Sequence, residues 1–143
     1  VQISGSATVL DTAQLRSAAA GSEHFRALLM RHEQVIFAQV LQSAACNASH
    51  SVQARLSRWL LRARDLTGSN KLTFTQEFMA QMLGTQRNTV SIVANTLQKA
   101  GLIRYRRGVI EITNLEGLIE SSCECYDMVN QYYEKLLHSD SLR

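Results

Sequence analysis

The stretch from Thr75 to Ala100, TQEFMAQMLGTQRNTVSIVANTLQKA, leaves the chain few choices, because two helix-period patterns meet in it at one glycine. In the first, Phe78, Met79, Met82 and Leu83 fall at helical spacing. Thr75 stands where a hydroxyl caps such a helix, and Glu77 where a carboxylate meets the positive end of its dipole. In the second, Val90, Val93, Ala94 and Leu97 repeat the spacing, so that Gln86, Arg87, Asn88, Ser91, Ile92 and Asn95 look outward. Gly84 supplies the sharp corner between the two, and Gly101 sits where a left-handed cap ends the second. Beyond Gly101 the period changes to two: Leu102, Ile103 and Tyr105 on one arm and Val109, Ile110 and Ile112 on the other, with Arg106, Arg107 and Gly108 at the tip. Leu72 and Phe74 flank a short extended piece able to add a strand to that hairpin. Two helices across a tight corner, followed by a basic hairpin, predict a winged helix-turn-helix.

Upstream, Val1 to Leu10 alternates apolar with small or polar residues and is expected to form a strand or a pair of short strands. Asp11 is placed to cap a short helix over Thr12 to Ala20. From Ser22 to about Cys46 nothing breaks a helix, and Phe25, Leu28, Leu29, Met30, Val35, Ile36, Phe37, Val40 and Leu41 occupy more than one of its faces. A surface helix covered on one side shows a narrower stripe, so a second helix is expected to lie against this one, most simply a copy of itself. Phe25, His32, Gln39 and Cys46 fall seven apart, as do Leu29, Ile36 and Ser43, an imperfect heptad. Phe25, Leu29, His32, Ile36 and Val40 are the expected dimer contacts.

A polar break at Asn47 to Ser51 precedes a predicted helix, Val52 to Leu66, with Leu56, Trp59, Leu60 and Ala63 inward and Arg55, Arg58, Arg62 and Arg64 largely outward. Asn114 is placed to cap a final helical region, broken near Ser121 and continuing to about Leu137. The fold class is therefore mostly α with a small β wing, a winged helix-turn-helix preceded by a long dimerisation helix. Its segments are 1–21, the long helix 22–48, and the winged domain with its C-terminal helix 49–143.

Charge is partitioned along the chain. From Gln53 to Ile110 ten basic residues stand against two acids, a net +8, whereas from Glu111 onward seven acids outweigh two bases, a net −5. A polyanion is the partner this predicts for the first segment, with the acidic tail facing away. Cys46, Cys123 and Cys125 are odd in number, and the C-x-C pair is closer than usual zinc spacing. They are read as reduced thiols, with metal or redox sensing as the alternative, and no metal ligand is assigned. Cys46 and His50, four apart, lack an oriented third group and an oxyanion donor, so no catalytic residue is assigned and an enzyme is not expected. No apolar run approaches the ~18 residues that span a bilayer, and no signal-peptide pattern opens the chain. A cytoplasmic protein without a membrane partner is expected. The start at Val1, without methionine, is read as that of a fragment.

The run from Ser51 to about Leu118 resembles the DNA-binding half of the Crp/Fnr family of bacterial transcription regulators. The likeness is carried by RLSRWLL (Arg55 to Leu61), by LTFTQEFMAQMLGTQRNTVSIVANTLQKAGLI, and by YRRGVIEI, which is similar to the family's wing. The resemblance implies that the long helix is a dimerisation helix and that residues 1–21 are a remnant of the sensory β-roll with a short helix. It also implies a homodimer that places its recognition helices in successive major grooves of a pseudo-palindromic site on double-stranded DNA. By position, Arg87 matches the arginine that reads a guanine. Gln76, Thr85, Gln86 and Thr89 match phosphate-touching positions and, with Thr75, Arg106 and Arg107, make up the expected phosphate-binding set. Asn88 and Ile92 depart from the best-known member, which has a glutamate and a second arginine there; with Arg87 and Ser91 they make the expected base-reading set. The expected function is therefore sequence-specific regulation of transcription, with RNA polymerase as a further partner. No cofactor is expected in this chain, a cyclic nucleotide or other small effector belonging to the missing domain. The alternative is a dimeric helical interaction module that has lost DNA binding, against which the +8 segment argues.

Overall fold

A computed structural model of the 143-residue chain describes residues 6–137, and side chains over 6–135. In chain order its elements are α1 (Thr12–Gly21), α2 (Glu23–Ser49), α3 (Val52–Thr67), β1 (Lys71–Thr73), α4 (Gln76–Leu83), α5 (Arg87–Lys99), β2 (Ile103–Arg106), β3 (Val109–Ile112), α6 (Leu115–Glu120) and α7 (Cys125–Leu137). Packing divides the described residues into two units, one of Gln42–Met128 and one of residues 6–41 with 129–137.

In the larger unit α3, α4 and α6 each begin where a side-chain oxygen meets a free N–H. Ser51 Oγ accepts from Ala54 N at 3.2 Å, Thr75 Oγ1 from Phe78 N at 3.1 Å, and Asn114 Oδ1 from Gly117 N at 3.0 Å. The corner is built as the sequence predicts. Gly84 has φ 59°, and Thr85 N donates to Ala80 O at 3.0 Å across it. A side chain would destabilise that left-handed geometry by about 1–2 kcal/mol. The three strands form an antiparallel sheet in the order β1-β3-β2, with Leu72 opposite Ile110 and Tyr105 opposite Ile110 from the other side. Period-two alternation puts Leu72, Ile103, Ile110 and Ile112 on the inner face. They join Leu56, Leu60, Leu61, Met79, Leu83, Val90, Leu97 and Leu118 in one core, which fixes α5 by its apolar side.

Two expectations about the entry to this unit are corrected. The first is the polar break. α2 runs through Asn47 to Ser49, leaving only His50 and Ser51 between it and α3, because its last carbonyls find donors: His50 N on Cys46 O at 3.0 Å and Arg55 NH1 on Asn47 O at 3.0 Å. The second follows from it. Arg55 and Arg58 are buried, not outward, at 7 % and 5 % exposure. Arg55 sits at the negative end of the α2 dipole, also reaching Asn47 Oδ1 at 3.2 Å. Arg58 donates to Ser43 Oγ at 3.4 Å and lies 5.4 Å over the Trp59 ring. Two of the ten cations of the basic segment thus serve the fold.

In the smaller unit, α1 is capped by Asp11, whose carboxylate accepts from Ala13 N at 2.8 Å, and α2 by Ser22, whose hydroxyl accepts from Phe25 N at 3.2 Å. Val35 and Val129 are buried. Seven apolar residues of α2 are open: Leu28, Leu29, Met30, Ile36, Phe37, Val40 and Leu41 are between 36 % and 63 % exposed. Of the expected dimer contacts, Leu29, Ile36 and Val40 are exposed, and Phe25 and His32 are described with them on the same helix. Residues 6–10 form no strand, contrary to expectation, since no neighbouring strand among the described residues serves their backbone groups; residues 1–5 lie outside the described range.

Candidate nucleic-acid interface

The first turn of α5 carries the outward set. Arg87 and Asn88 are exposed, Ile92 is 68 % exposed one turn on, and Ser91 is half-buried beside it. Asn88 and Ile92 lie opposite Val90, Ala94 and Leu97, while Arg87 and Ser91 flank that buried side. Gln86 holds the N-cap position without a side-chain capping bond, which leaves its amide available beside the open N–H groups of the helix start. Thr85 and Thr89 flank it, each half-buried. Gln76, at the start of α4, lines a shallow groove with Ser91, Asn95, Gln98 and Tyr105. Gln98 Oε1 accepts from Tyr105 N at 2.8 Å and ties α5 to β2. Thr75 has its Oγ1 engaged as the α4 cap.

The wing is a two-residue turn. Arg106 opposite Val109 closes the ladder, and Arg107 and Gly108 follow at φ 50° and 80°. Positive φ at both central residues matches the right-handed twist of the strands, as a type I′ turn does. Glycine adopts this freely, whereas arginine is strained there, so Arg107 holds a position that conformational preference alone would not give it. Both wing arginines are exposed. Arg104, two residues before Arg106 on β2, is partly neutralised by Glu111 of β3 at 3.3 Å. Among the described residues no helix is long and apolar enough to cross a membrane.

Compared with known families, residues 54–121 match the Crp-like helix-turn-helix domain. The chain carries a Crp-like helix-turn-helix domain. This bears out the resemblance read from the residues, and the described elements agree with a mostly α winged helix. Among solved structures, a regulator described as of the Crp/Fnr family from Eubacterium rectale is similar over 75 % of this chain and 51 % of that one, at 24 % identity and a TM-score of 0.57. A regulator described as of the CRP family from Thermus thermophilus is similar over 61 % and 49 %, at 25 % identity and a TM-score of 0.53. The chain thus spans about half the length of each. No curated protein sequence matches it.

Just outside both ends of the matched domain lies a cluster that the sequence reading did not assemble. Cys46 and His50, one turn apart at the end of α2, meet Cys123 and Cys125 at the start of α7. Cys46 Sγ is 3.5 Å from Cys123 Sγ, and Cys125 Sγ is 3.5 Å from His50 Nδ1. All three thiols are buried, and burial pushes Cys123 up to about 12, helped by hydrogen bonds with Cys46 and Cys125. Spacing had two partial signals, a C-x-C and a C-x-x-x-H at helical period, but their 77-residue separation hid the meeting.

Proposed function

We propose that the chain is the DNA-binding part of a Crp/Fnr-type transcription regulator that acts in the cytoplasm as a homodimer on a pseudo-palindromic site. The observation that carries this reading is the pairing of an exposed Arg87, Asn88 and Ile92 surface on α5 with a strained, doubly basic wing tip in one Crp-like domain. In this reading α5 enters the major groove, Arg87 forks onto a guanine, and Asn88, Ser91 and Ile92 touch neighbouring base edges. Thr75, Gln76, Thr85, Gln86, Thr89, Arg106 and Arg107 grip phosphates on either side. The face of α2 that carries half-buried Phe25 and exposed Leu29, His32, Ile36 and Val40 pairs with its copy. RNA polymerase is the partner such a regulator meets at a promoter. A small effector such as a cyclic nucleotide belongs to a domain outside this stretch, since the solved relatives are about twice as long as the part matched.

Arg87→Ala is expected to cost roughly 1–3 kcal/mol on the cognate duplex and to relax preference at one base pair of each half-site. Fluorescence anisotropy against a panel of single-position variants reads this directly. Equal weakening on every sequence would make Arg87 a phosphate contact, and no weakening would remove it from the interface. Light scattering should give twice the 16.0 kDa chain mass; a monomer at high concentration contradicts the pairing of α2. An interaction module without DNA binding would leave anisotropy flat for both proteins.

A further inference from the structure

We propose that Cys46, His50, Cys123 and Cys125 form a tetrahedral binding site for one zinc-class divalent cation, held by three thiolates and His50 Nδ1. The four ligand atoms all lie within 4.8 Å of one another, and two of the pairs stand at 3.5 Å. A tetrahedron with metal–sulfur bonds of about 2.3 Å and a metal–nitrogen bond of about 2.0–2.1 Å has edges of roughly 3.5–3.8 Å, so small movements enclose a single ion. Clusters with two or more metal ions spread their ligands further apart, and the compact set disfavours them. Soft sulfur donors with one imidazole select zinc over magnesium or calcium.

The surroundings are those of a ligand set. His50 Nε2 lies 3.1 Å from Glu124 Oε1, which fixes the tautomer with its lone pair on Nδ1, toward Cys125. Gln42 Nε2 donates to Cys125 Sγ at 2.9 Å, offsetting the charge a thiolate would carry. On binding, each thiol releases its proton to solvent, and the divalent ion with three thiolates and neutral imidazole leaves the centre at net −1. The four ligands and both supporting residues fall outside 54–121, so the site is an addition to the Crp-like domain and stands whether or not that domain binds DNA. It clasps the last turn of α2 to the first turn of α7, closing the two ends of the domain upon each other.

The test is titration of the reduced, metal-free full chain with Co²⁺ and then Zn²⁺. The expected result is one equivalent bound, the intense visible bands of tetrahedral cobalt with thiolate charge transfer, and their loss on adding zinc. All three thiols should become resistant to alkylation, and thermal unfolding should shift upward by several degrees. Cys123→Ser is expected to abolish the bands. Because that variant faces a buried site, Glu124→Gln is the companion: a positioning change expected to weaken zinc about 10–100-fold while leaving metal-free unfolding unchanged. Pale octahedral cobalt spectra, thiols equally reactive with and without zinc, or a Cys46–Cys123 disulfide forming in the presence of zinc would each overturn the site.

Discussion

Raising salt fourfold is expected to weaken binding of the cognate duplex by roughly 10²-fold, on a log–log slope near about −3.6. That slope follows if Arg106 and Arg107 of both protomers each neutralise one phosphate, at about −0.9 apiece. Were all ten basic residues between Gln53 and Ile110 to meet phosphates in both protomers, the slope would be several times steeper. Arg55 and Arg58 are buried against the end of α2, and Arg104 is shared with Glu111. Replacing Arg106 and Arg107 by alanine should remove most of the slope while leaving base preference intact, since phosphate contacts position without specifying. Anisotropy between about 50 and 200 mM salt measures both. A slope unchanged by the double substitution would place the wing away from DNA.

Leu97→Ala is expected to cost about 2–5 kcal/mol, a large share of the ~5–15 kcal/mol that holds a domain folded. Leu97 is fully buried in the core that seats α5, among Leu83, Val90 and Ile103. Removing its branch leaves a cavity under the reading surface. Ile92→Ala, five residues earlier and 68 % exposed, should change stability by no more than about 0.5 kcal/mol while altering the preferred base beside the Arg87 contact. Urea unfolding of the two variants separates the faces of α5. Comparable losses in both would mean that Ile92 is packed.

The helix-turn-helix was legible because it rests on local chemistry: Thr75 as a cap, Gly84 as a left-handed corner, and apolar residues at helical and then strand period. That the piece around Leu72 adds a strand to the hairpin was legible from its alternation, whereas its pairing with β3 rather than β2 comes from the fold. What the residues did not disclose depends on contacts between distant segments. Arg55 and Arg58 look solvated in any helical projection, and only the carbonyl end of α2 explains their burial. Asn47 to Ser49 read as a break by residue type, yet stay helical because Arg55 and His50 serve the carbonyls there. The meeting of Cys46 and His50 with Cys123 and Cys125 belongs to the same class, as it needs the whole domain folded between them. Of the outward set, Asn88 and Ile92 are exposed because the buried side of α5 lies opposite them, and Arg87 because it opens the helix.

Selection of bound sequences from a random duplex library reads binding, half-site spacing and symmetry together. The expected result is enrichment of an inverted repeat whose half-sites are centred about one helical turn apart, roughly 10–10.5 base pairs, with a guanine in each half-site that ceases to be selected by Arg87→Ala. Recovery of no enriched sequence, or of a single asymmetric half-site from a dimeric protein, would contradict it.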